Sequence, residues 1–409
     1  MTLSSSQDPA RGRLARLTAV LFISYLCVGM SLPVVPVYVA GQLGLGNAWA
    51  GLGAGAAFLA TIFTRGHAGG LADRQGPRAA VRRGLALYAA GSLISMAAGL
   101  PLGHAGLAYA VLLAGRLALG LGESLAAVGA IAWGIGLAGP ARSGRVLALV
   151  GAAMYGALAV GGPIGLALLE RIGLTGAMAA GAALPCLGLL AIRGLPDVAP
   201  HAGGPRPSFW SVVGRIWRHG AVVCLQGIGF AAIGAFFTLH FLSRHWAHAG
   251  WGLTAFGAGF VLVRVLLGHL PDRIGGLRVA VGSLAVEAAG QALVWGASSP
   301  LLALAGAFLT GLGCSMIFPA MGREVVHRIE PGLRATAMGG FSAFQDIAYG
   351  LTGPLAGLLA DRAGYGSVFA LGAGAAAAGC VIALSLGAGA RRSGALFSPG
   401  RARRARSPQ

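Results

Sequence analysis

Lysine is absent from this 409-residue chain, and charge of either sign is scarce. Only 10% of the residues are charged and 56% are apolar, whereas soluble globular proteins carry about 25% charged residues. This composition excludes an ordinary soluble enzyme or nucleic-acid-binding domain and predicts a chain that lies in a membrane. All 30 basic residues are arginine, for a net charge of +19. Together with 71 glycines, this usage indicates a GC-rich coding bias rather than selection for phosphate binding.

Cysteine is also rare. The five cysteines, Cys27, Cys186, Cys224, Cys314 and Cys380, all fall within apolar runs, and their spacing matches no metal or redox motif. We interpret them as small residues of the membrane core and predict neither a metal site nor a cofactor. The short, nearly uncharged loops on one side also argue against a membrane enzyme, which would need a nucleophile, metal or carboxylate cluster there.

The apolar runs are long enough to predict an all-α membrane protein with twelve transmembrane helices. The predicted spans are 17–39, 49–68, 81–100, 106–136, 146–169, 174–192, 219–242, 252–269, 279–297, 301–326, 335–359 and 366–388. The first run follows several arginines, as a secretory signal would. It is longer than a signal core and shows no small-residue cleavage pattern, so we interpret it as a spanning helix.

Arginine is concentrated in alternate loops, which predicts how the helices are oriented. The loops on the N-terminal side contain Arg74, Arg78, Arg82, Arg83, Arg142, Arg145, Arg193, Arg206, Arg215, Arg218, Arg273, Arg278, Arg328 and Arg334. The C-terminal tail adds Arg391, Arg392, Arg401, Arg403, Arg404 and Arg406, whereas the opposite side has Arg171, Arg244 and Arg362. We therefore expect both termini in the cytoplasm of a bacterium, with the chain in its inner membrane and no nucleic-acid partner.

An internal repeat indicates how the chain is organised. At an offset of 199, Arg65, Gly69, Leu71, Asp73, Arg74 and Gly76 recur as Arg264, Gly268, Leu270, Asp272, Arg273 and Gly275. At an offset of 191, Gly120, Gly122, Ser124, Pro140, Gly162, Pro163, Arg171 and Gly173 recur as Gly311, Gly313, Ser315, Pro331, Gly353, Pro354, Arg362 and Gly364. The repeat predicts two six-helix bundles, 17–192 and 219–388. The other predicted segments are a cytoplasmic N-terminus 1–16, a cytoplasmic linker 193–218 and a basic tail 389–409.

The residues between the second and third predicted helices, Gly69-Gly70-Leu71-Ala72-Asp73-Arg74-Gln75-Gly76-Pro77-Arg78, resemble the signature loop of the major facilitator superfamily. Arg116, with Gly120 and Gly122, is similar to a second motif of that superfamily. Further stretches, 64–69, 144–146 and 273–277, resemble the YhhS-type branch of bacterial permeases and exporters. The resemblance implies a 6+6 fold with two pseudo-symmetric halves and a secondary transporter.

The branch resemblance implies proton-coupled efflux of a small solute by alternating access. The Gly162-Pro163 step fits an antiporter motif, but Leu158, Leu166 and Ala167 replace its other glycines. A proton-coupled importer and a non-transporting receptor or scaffold remain alternatives. The partners that we expect are a small-molecule substrate, protons and the lipid bilayer, and we expect a monomer.

The signature loop also suggests a contact between the two halves that forms in one conformation and breaks in another. Gly and Pro allow a tight turn there, and Asp73 can accept hydrogen bonds at the start of a neighbouring helix, where the helix dipole favours a carboxylate. We predict a conformational latch that holds the two halves together in one state. Its residues are Gly69, Asp73, Arg74, Gly76 and Arg78, with the repeated Asp272 and Arg273.

Three acids lie well inside predicted helices: Glu123, Glu287 and Asp346. A charge at the bilayer centre costs on the order of 3 kcal/mol, so each acid needs a partner, water or a proton. Arg116, which we interpret as the only clearly mid-helix base, precedes Glu123 by two helical turns and projects from a similar face. We predict that Asp346 or Glu123 exchanges a proton under the influence of Arg116, with Glu287 as a further candidate. The alternative is a static polar contact between helices.

The resemblance implies a substrate cavity lined by several helices of both bundles. Candidate hydrogen-bonding residues of that cavity are Tyr25, Tyr155, Gln226, Thr238, Ser315 and Gln345. Pro33 and Pro36 predict a kink in the first helix, and Pro163 and Pro354 predict bends where the two halves meet. The substrate class stays open between sugar-like, drug-like and organic-anion solutes, and Arg116 favours an anionic or sugar-like one.

Overall fold

The computed structural model describes residues 9–139, 142–199, 209–330 and 334–396, and the secondary structure of these residues is helical throughout. Its helices are α1 Pro9–Val37, α2 Asn47–Gln75, α3 Pro77–Ala97, α4 Ala105–Ala138, α5 Ser143–Ala191, α6 Phe209–Ser243, α7 Trp251–Leu267, α8 Leu270–Ile274, α9 Gly276–Trp295, α10 Pro300–Arg328, α11 Arg334–Ala363 and α12 Gly366–Leu396. Several residues named above lie outside the described ranges: Pro140, Arg206, Pro331, Arg401, Arg403, Arg404 and Arg406.

Helix α5 contains two membrane-crossing arms. Its backbone breaks at Gly173, where φ is 69° and ψ is −177°, a conformation that glycine adopts without steric cost. The two arms correspond to the predicted spans 146–169 and 174–192. With the short α8 left aside, the described residues form twelve long helical segments, which confirms the predicted all-α fold. Seven helices are individually long and apolar enough to cross a membrane.

Several helices extend beyond their predicted boundaries. Helix α2 continues to Gln75, so Gly69, Asp73 and Arg74 are helical and the expected tight loop is reduced to Gly76, whose φ is 85°. Helix α6 begins at Phe209, within the segment 193–218 predicted as a linker. The predicted span 252–269 corresponds to α7, and the short α8 follows it. The predicted helices are shorter because hydropathy detects only the membrane-embedded part of a helix. Polar turns at the surface remain helical through their backbone hydrogen bonds but contain few apolar residues.

The prolines occupy positions inside helices. Pro33 and Pro36 lie near the end of α1, which continues as a π-helical turn over Tyr38–Gln42. A proline removes one backbone donor from the helix, which accounts for the loosened turn that follows. Pro163 and Pro354 lie in α5 and α11, the helices through which the two halves meet. Pro163 contacts Gly250, the residue before α7, because a Cβ on Gly250 would lie 3.2 Å from the Pro163 Cα.

The two halves meet along α2 with α11 and along α5 with α7. A Cβ on Gly51 would lie 2.0 Å from the Gly353 carbonyl oxygen, so the backbones of α2 and α11 touch. At the end of this contact the Asn47 amide donates to the Asp361 carboxylate at 2.7 Å, and the Tyr365 hydroxyl donates to the Asn47 amide oxygen at 2.8 Å. These contacts lie on the side opposite to the arginine-rich loops, and they close the bundle there.

The internal repeat is visible in the packing of backbones. A Cβ on Gly120 would lie 1.9 Å from the Ala57 carbonyl oxygen, and a Cβ on Gly311 would lie 1.9 Å from the Phe256 carbonyl oxygen. Ala57 and Phe256 are separated by 199 residues, and the two glycines by 191, the offsets found in the sequence. Both halves therefore use glycine to bring the same pair of helices into contact.

Replacement of Gly353 by valine is expected to open the contact between α2 and α11, because the side chain would overlap the Gly51 carbonyl group. Cysteines introduced at Asn47 and Asp361 can be linked by a short bifunctional maleimide. A protease site inserted in the 200–208 segment is then cleaved, and the fraction of halves that stay joined reports the linking. Gly353→Val should lower the linked fraction. Gly282→Val is the matched control, because no atom lies within 4 Å of a Cβ there. Equal linking in both variants would contradict this packing.

Candidate functional site

A buried ion pair between Arg65 on α2 and Asp346 on α11 joins the two halves. Arg65 Nε donates to Asp346 Oδ2, and Arg65 Nη2 donates to Oδ1 at 2.7 Å. Asp346 is only 3% exposed, and Arg65 lies about 15 Å along the axis from the end of α2. A bidentate guanidinium offsets much of the cost of placing a carboxylate there. The Arg65–Asp346 pair is the centre of the candidate site.

The sequence prediction missed this base. Our interpretation of Arg116 as the only clearly mid-helix base was wrong, because Arg65 and Arg264 also lie inside helices and within the bundle. Both arginines were visible in the repeat. That signal could have identified Arg65 as a functional candidate, since an arginine retained at the same intramembrane position in both halves needs a partner.

Arg264, the repeat counterpart of Arg65, has a different kind of partner in the interface of α5 with α7. Arg264 on α7 donates to the Ser315 carbonyl oxygen at 2.6 Å, and its guanidinium lies 5.1 Å from the Phe260 ring centroid. Tyr155, which precedes Asp346 by 191 residues, stacks on the same Phe260 ring with centroids 3.5 Å apart. The interface of α5 with α7 is therefore aromatic where that of α2 with α11 is ionic.

Glu123 on α4 forms a second buried acidic site. The Tyr25 hydroxyl on α1 donates to Glu123 Oε1 at 2.8 Å, and the other carboxyl oxygen is buried with no hydrogen-bond partner among the described residues. The Tyr88 ring packs edge-on against Tyr25. Glu123 also lies within electrostatic reach of Arg65 and Asp346. The structure thus brings the two preferred acids into one region.

Arg116 is fully buried and its guanidinium is occupied. It donates to the carbonyl oxygens of Gly53 and Ala54, both at 3.1 Å, and to the Ser31 hydroxyl at 2.6 Å. These partners belong to α2 and α1, so Arg116 ties three helices of the first half together. Its hydrogen bonds go to neutral groups rather than to Glu123, and it has 0% exposure for a solute to reach.

Most of the predicted cavity residues form hydrogen bonds with other groups of the protein. The Tyr155 and Tyr349 hydroxyls lie 3.3 Å apart across the two halves, and the Gln345 amide donates to Tyr349 at 2.8 Å. Ser315 donates to the Phe260 carbonyl oxygen at 2.8 Å, and Thr238 to that of Ala249 at 3.5 Å. Gln226 is buried, with its amide oxygen unpartnered among the described residues.

A cavity of about 650 Å³ lies elsewhere, between α1, α4 and α5 on the arginine-rich side. Its walls are mainly apolar and include Phe22 and Leu149, and three arginines, Arg11, Arg142 and Arg145, also line it. None of the six predicted lining residues, Tyr25, Tyr155, Gln226, Thr238, Ser315 and Gln345, contributes to it. A role for these six residues in binding solute stays a prediction.

The signature residues make contacts within one half. Arg74 donates to the Gly70 carbonyl oxygen at 3.2 Å, and Arg78 donates to that of Arg193 at 3.1 Å. In the second copy, Asp272 pairs with Arg323 at 3.3 Å, which links α8 to α10 of the same bundle. For Arg78 and Asp272 the observed bonds therefore brace a bundle rather than joining two bundles. A latch role for Asp73 stays a prediction.

The sequence profile of the Major Facilitator Superfamily matches residues 17–247 and 220–406. The chain belongs to the major facilitator superfamily. An uncharacterized MFS-type transporter of Salmonella typhimurium is 44% identical over 369 residues, covering 90% of this chain and 95% of the relative. Another from Burkholderia pseudomallei is 40% identical over 363 residues and 88% of each chain.

Solved structures share this fold. A mutant of the nucleoside transporter NupG matches with a TM-score of 0.72 at 15% identity, covering 91% of this chain and 99% of its own. The human organic anion transporter MFSD10 matches with a TM-score of 0.69 at 15% identity, covering 92% and 100%. This superfamily member is therefore a multi-pass membrane transporter of the 6+6 fold and not an enzyme. The YhhS-type branch stays a prediction.

Arg116→Met is expected to destabilise the fold, because it removes charged hydrogen bonds to Gly53, Ala54 and Ser31. We expect a loss of about 2 kcal/mol or more and a lower Tm of the detergent-solubilised protein. Arg78→Met is the comparison, because among the described residues Arg78 makes a single exposed hydrogen bond, to the Arg193 carbonyl oxygen. A loss of Tm for Arg78→Met as large as that for Arg116→Met would contradict the structural role of Arg116.

Proposed function

We propose that this transporter is proton-coupled and exports a small solute by alternating access. The observation that carries the proposal is the buried Arg65–Asp346 pair, which bridges the two halves. The pair attracts only while Asp346 is ionised. A proton on Asp346 removes the attraction between α2 and α11, so occupancy by a proton and the conformation of the bundle become linked.

The size of this effect is sufficient for a switch. Breaking a buried ion pair by removing one charge costs about 3–5 kcal/mol. A shift of about 5.5 kcal/mol moves a two-state equilibrium from 1:99 to 99:1. Protonation of one carboxyl can therefore change the populations of the two states by orders of magnitude.

Glu123 extends this mechanism into the first half. It lies within electrostatic reach of Arg65 and holds one hydrogen bond, from Tyr25. When Asp346 takes a proton, Arg65 keeps its charge and is attracted to Glu123 instead. The guanidinium would then move between two carboxyls of different halves, and one proton would be exchanged between them and the open side.

The lining of the cavity between α1, α4 and α5 favours one of the sugar-like, drug-like and organic-anion solute classes over the others. Its apolar walls suit a drug-sized organic group, and Arg11, Arg142 and Arg145 would attract a negative charge at the same place. We therefore favour an amphipathic organic anion over a neutral sugar. With both termini placed in the cytoplasm of a bacterial cell, the cavity would open to the cytoplasm, from which an exported solute is loaded.

Import by proton symport is the alternative that uses the same groups. In inside-out membrane vesicles, export by antiport appears as solute uptake that consumes an inward-acidic pH gradient. Symport would instead release solute from the vesicles together with protons. A receptor or scaffold would show no gradient-dependent flux in either direction.

Asp346→Asn is expected to abolish gradient-driven uptake in proteoliposomes, because the asparagine cannot lose a proton. Exchange of labelled for unlabelled solute, which needs no net proton movement, should survive. Candidate solutes would be screened with the wild-type protein under an imposed pH gradient. Glu330→Gln is the control, because Glu330 is an exposed acid paired with Arg215 at 3.7 Å. An Asp346→Asn variant with unchanged gradient dependence would remove the pair from coupling.

Arg145→Gln is expected to raise KM for anionic solutes and to change KM little for neutral analogues, because it removes one positive charge from the cavity. The measurement compares aryl carboxylates with their primary amides in the vesicle assay. Arg171→Gln supplies a control, since Arg171 is an exposed arginine outside the cavity. Equal effects of both variants on the carboxylates would argue against an anion site in the cavity.

A further inference from the structure

A third buried acid, Glu287, lies in the second half on α9. It is 0% exposed, and neither of its carboxyl oxygens has a hydrogen-bond partner among the described residues. The backbone of α6 presses on it, since a Cβ on Gly229 would lie 2.3 Å from Glu287 Oε1. An ionised carboxylate in such a place would carry an uncompensated charge at a cost of several kcal/mol.

Among the described residues, the helices packed against α9 supply no charged partner for Glu287. The polar side chains near it are Cys314 of α10, Gln226 of α6 and Gln291, one turn along α9. The nearest arginine on α9 is Arg278, nine residues away, or about 13 Å along the axis. Arg264, on α7, is bonded to Ser315.

The repeat relates this acid to the site in the first half. Glu287 stands 199 residues after Tyr88, and Cys314 stands 191 residues after Glu123. The packing agrees, because a Cβ on Gly122 would lie 3.0 Å from the Tyr88 ring and one on Gly313 would lie 2.7 Å from the Glu287 Cβ. Each half thus has one acid in the same helix pair, on α4 in the first half and on α9 in the second.

Polar side chains connect the two acids through the interface. The Cys314 thiol lies beside both Glu287 and Gln226. It is also within electrostatic reach of the tyrosines whose hydroxyls meet across the halves at 3.3 Å, Tyr155 and Tyr349. Tyr155 in turn is within electrostatic reach of Glu123. The thiol and the hydroxyl groups among them can each donate and accept a hydrogen bond.

We infer that Glu287 is a second proton-binding site, separate from the Arg65–Asp346 pair. The carboxyl is neutral in the closed packing seen here. When α6 and α9 become accessible to water in the other state, its O–H bond breaks and the proton passes to water, which leaves a carboxylate. The thiol beside it favours a proton over Na⁺, because Na⁺ prefers oxygen ligands. The exchange rests on the proposed proton coupling, whereas the neutral state of the acid does not.

Carbodiimide labelling tests the neutral state without any solute. Dicyclohexylcarbodiimide is apolar and reacts with protonated carboxyls, so mass spectrometry of the purified protein at neutral pH should find the adduct on Glu287 and not on the ion-paired Asp346. The Glu287→Gln variant should lose that adduct, while Glu324→Gln should keep it. An unlabelled Glu287 in a folded protein would overturn the proposal. Protection of Glu287 from the carbodiimide by NaCl but not by choline chloride would also overturn it, because it would indicate bound Na⁺.

The proton-to-solute ratio tests the exchange. In proteoliposomes, the pH gradient that balances a fixed solute gradient gives this ratio. Glu287→Gln should lower it by one proton while transport continues, and Glu324→Gln should leave it unchanged. An unchanged ratio in Glu287→Gln would show a static acid and overturn the exchange. Unchanged gradient dependence in Asp346→Asn would contradict the role of the pair, whereas an unchanged ratio in Glu287→Gln alone would contradict the exchange, so the two failures are distinguishable.

Discussion

The hydrocarbon interior of the membrane does not solvate charge, and this constraint accounts for the arrangement of the intramembrane polar groups. Arg65 is paired with Asp346, Arg116 with two carbonyl oxygens and a hydroxyl, and Arg264 with Ser315. The three arginines differ in which helices their hydrogen bonds join. Arg116 ties helices of one half, whereas Arg65 joins the two halves.

Close approach of the helices makes these solutions possible. Gly51 and Gly353 let α2 and α11 touch at the backbone, beside the part of the interface where Arg65 meets Asp346. Gly120 lets α4 approach α2 closely, and Arg116 of the same helix then reaches the carbonyl groups of Gly53 and Ala54. The high glycine content and the satisfied arginines are therefore two aspects of one packing arrangement.

The two halves share a backbone plan but differ in chemistry. Arg65 and Arg264 occupy related positions, yet the first has a carboxylate partner and the second lies against an aromatic ring. Under the proposed proton coupling, the interface of α2 with α11 would respond to a proton through loss of its ion pair, while that of α5 with α7 relies on packing of Tyr155 and Phe260.

The sequence by itself determined the twelve helices, the repeat and the presence of three acids in the membrane, because hydropathy and spacing are properties of local sequence. It also placed Pro163 and Pro354 in the helices where the halves meet. Only the tertiary structure decided which groups pair. Arg65 and Asp346 are 281 residues apart, and Tyr25 and Glu123 are 98 apart, so no local pattern reports their contact. Helical periodicity gives the direction in which Arg116 projects, but the carbonyl oxygens that it meets belong to another helix, whose position is set by packing.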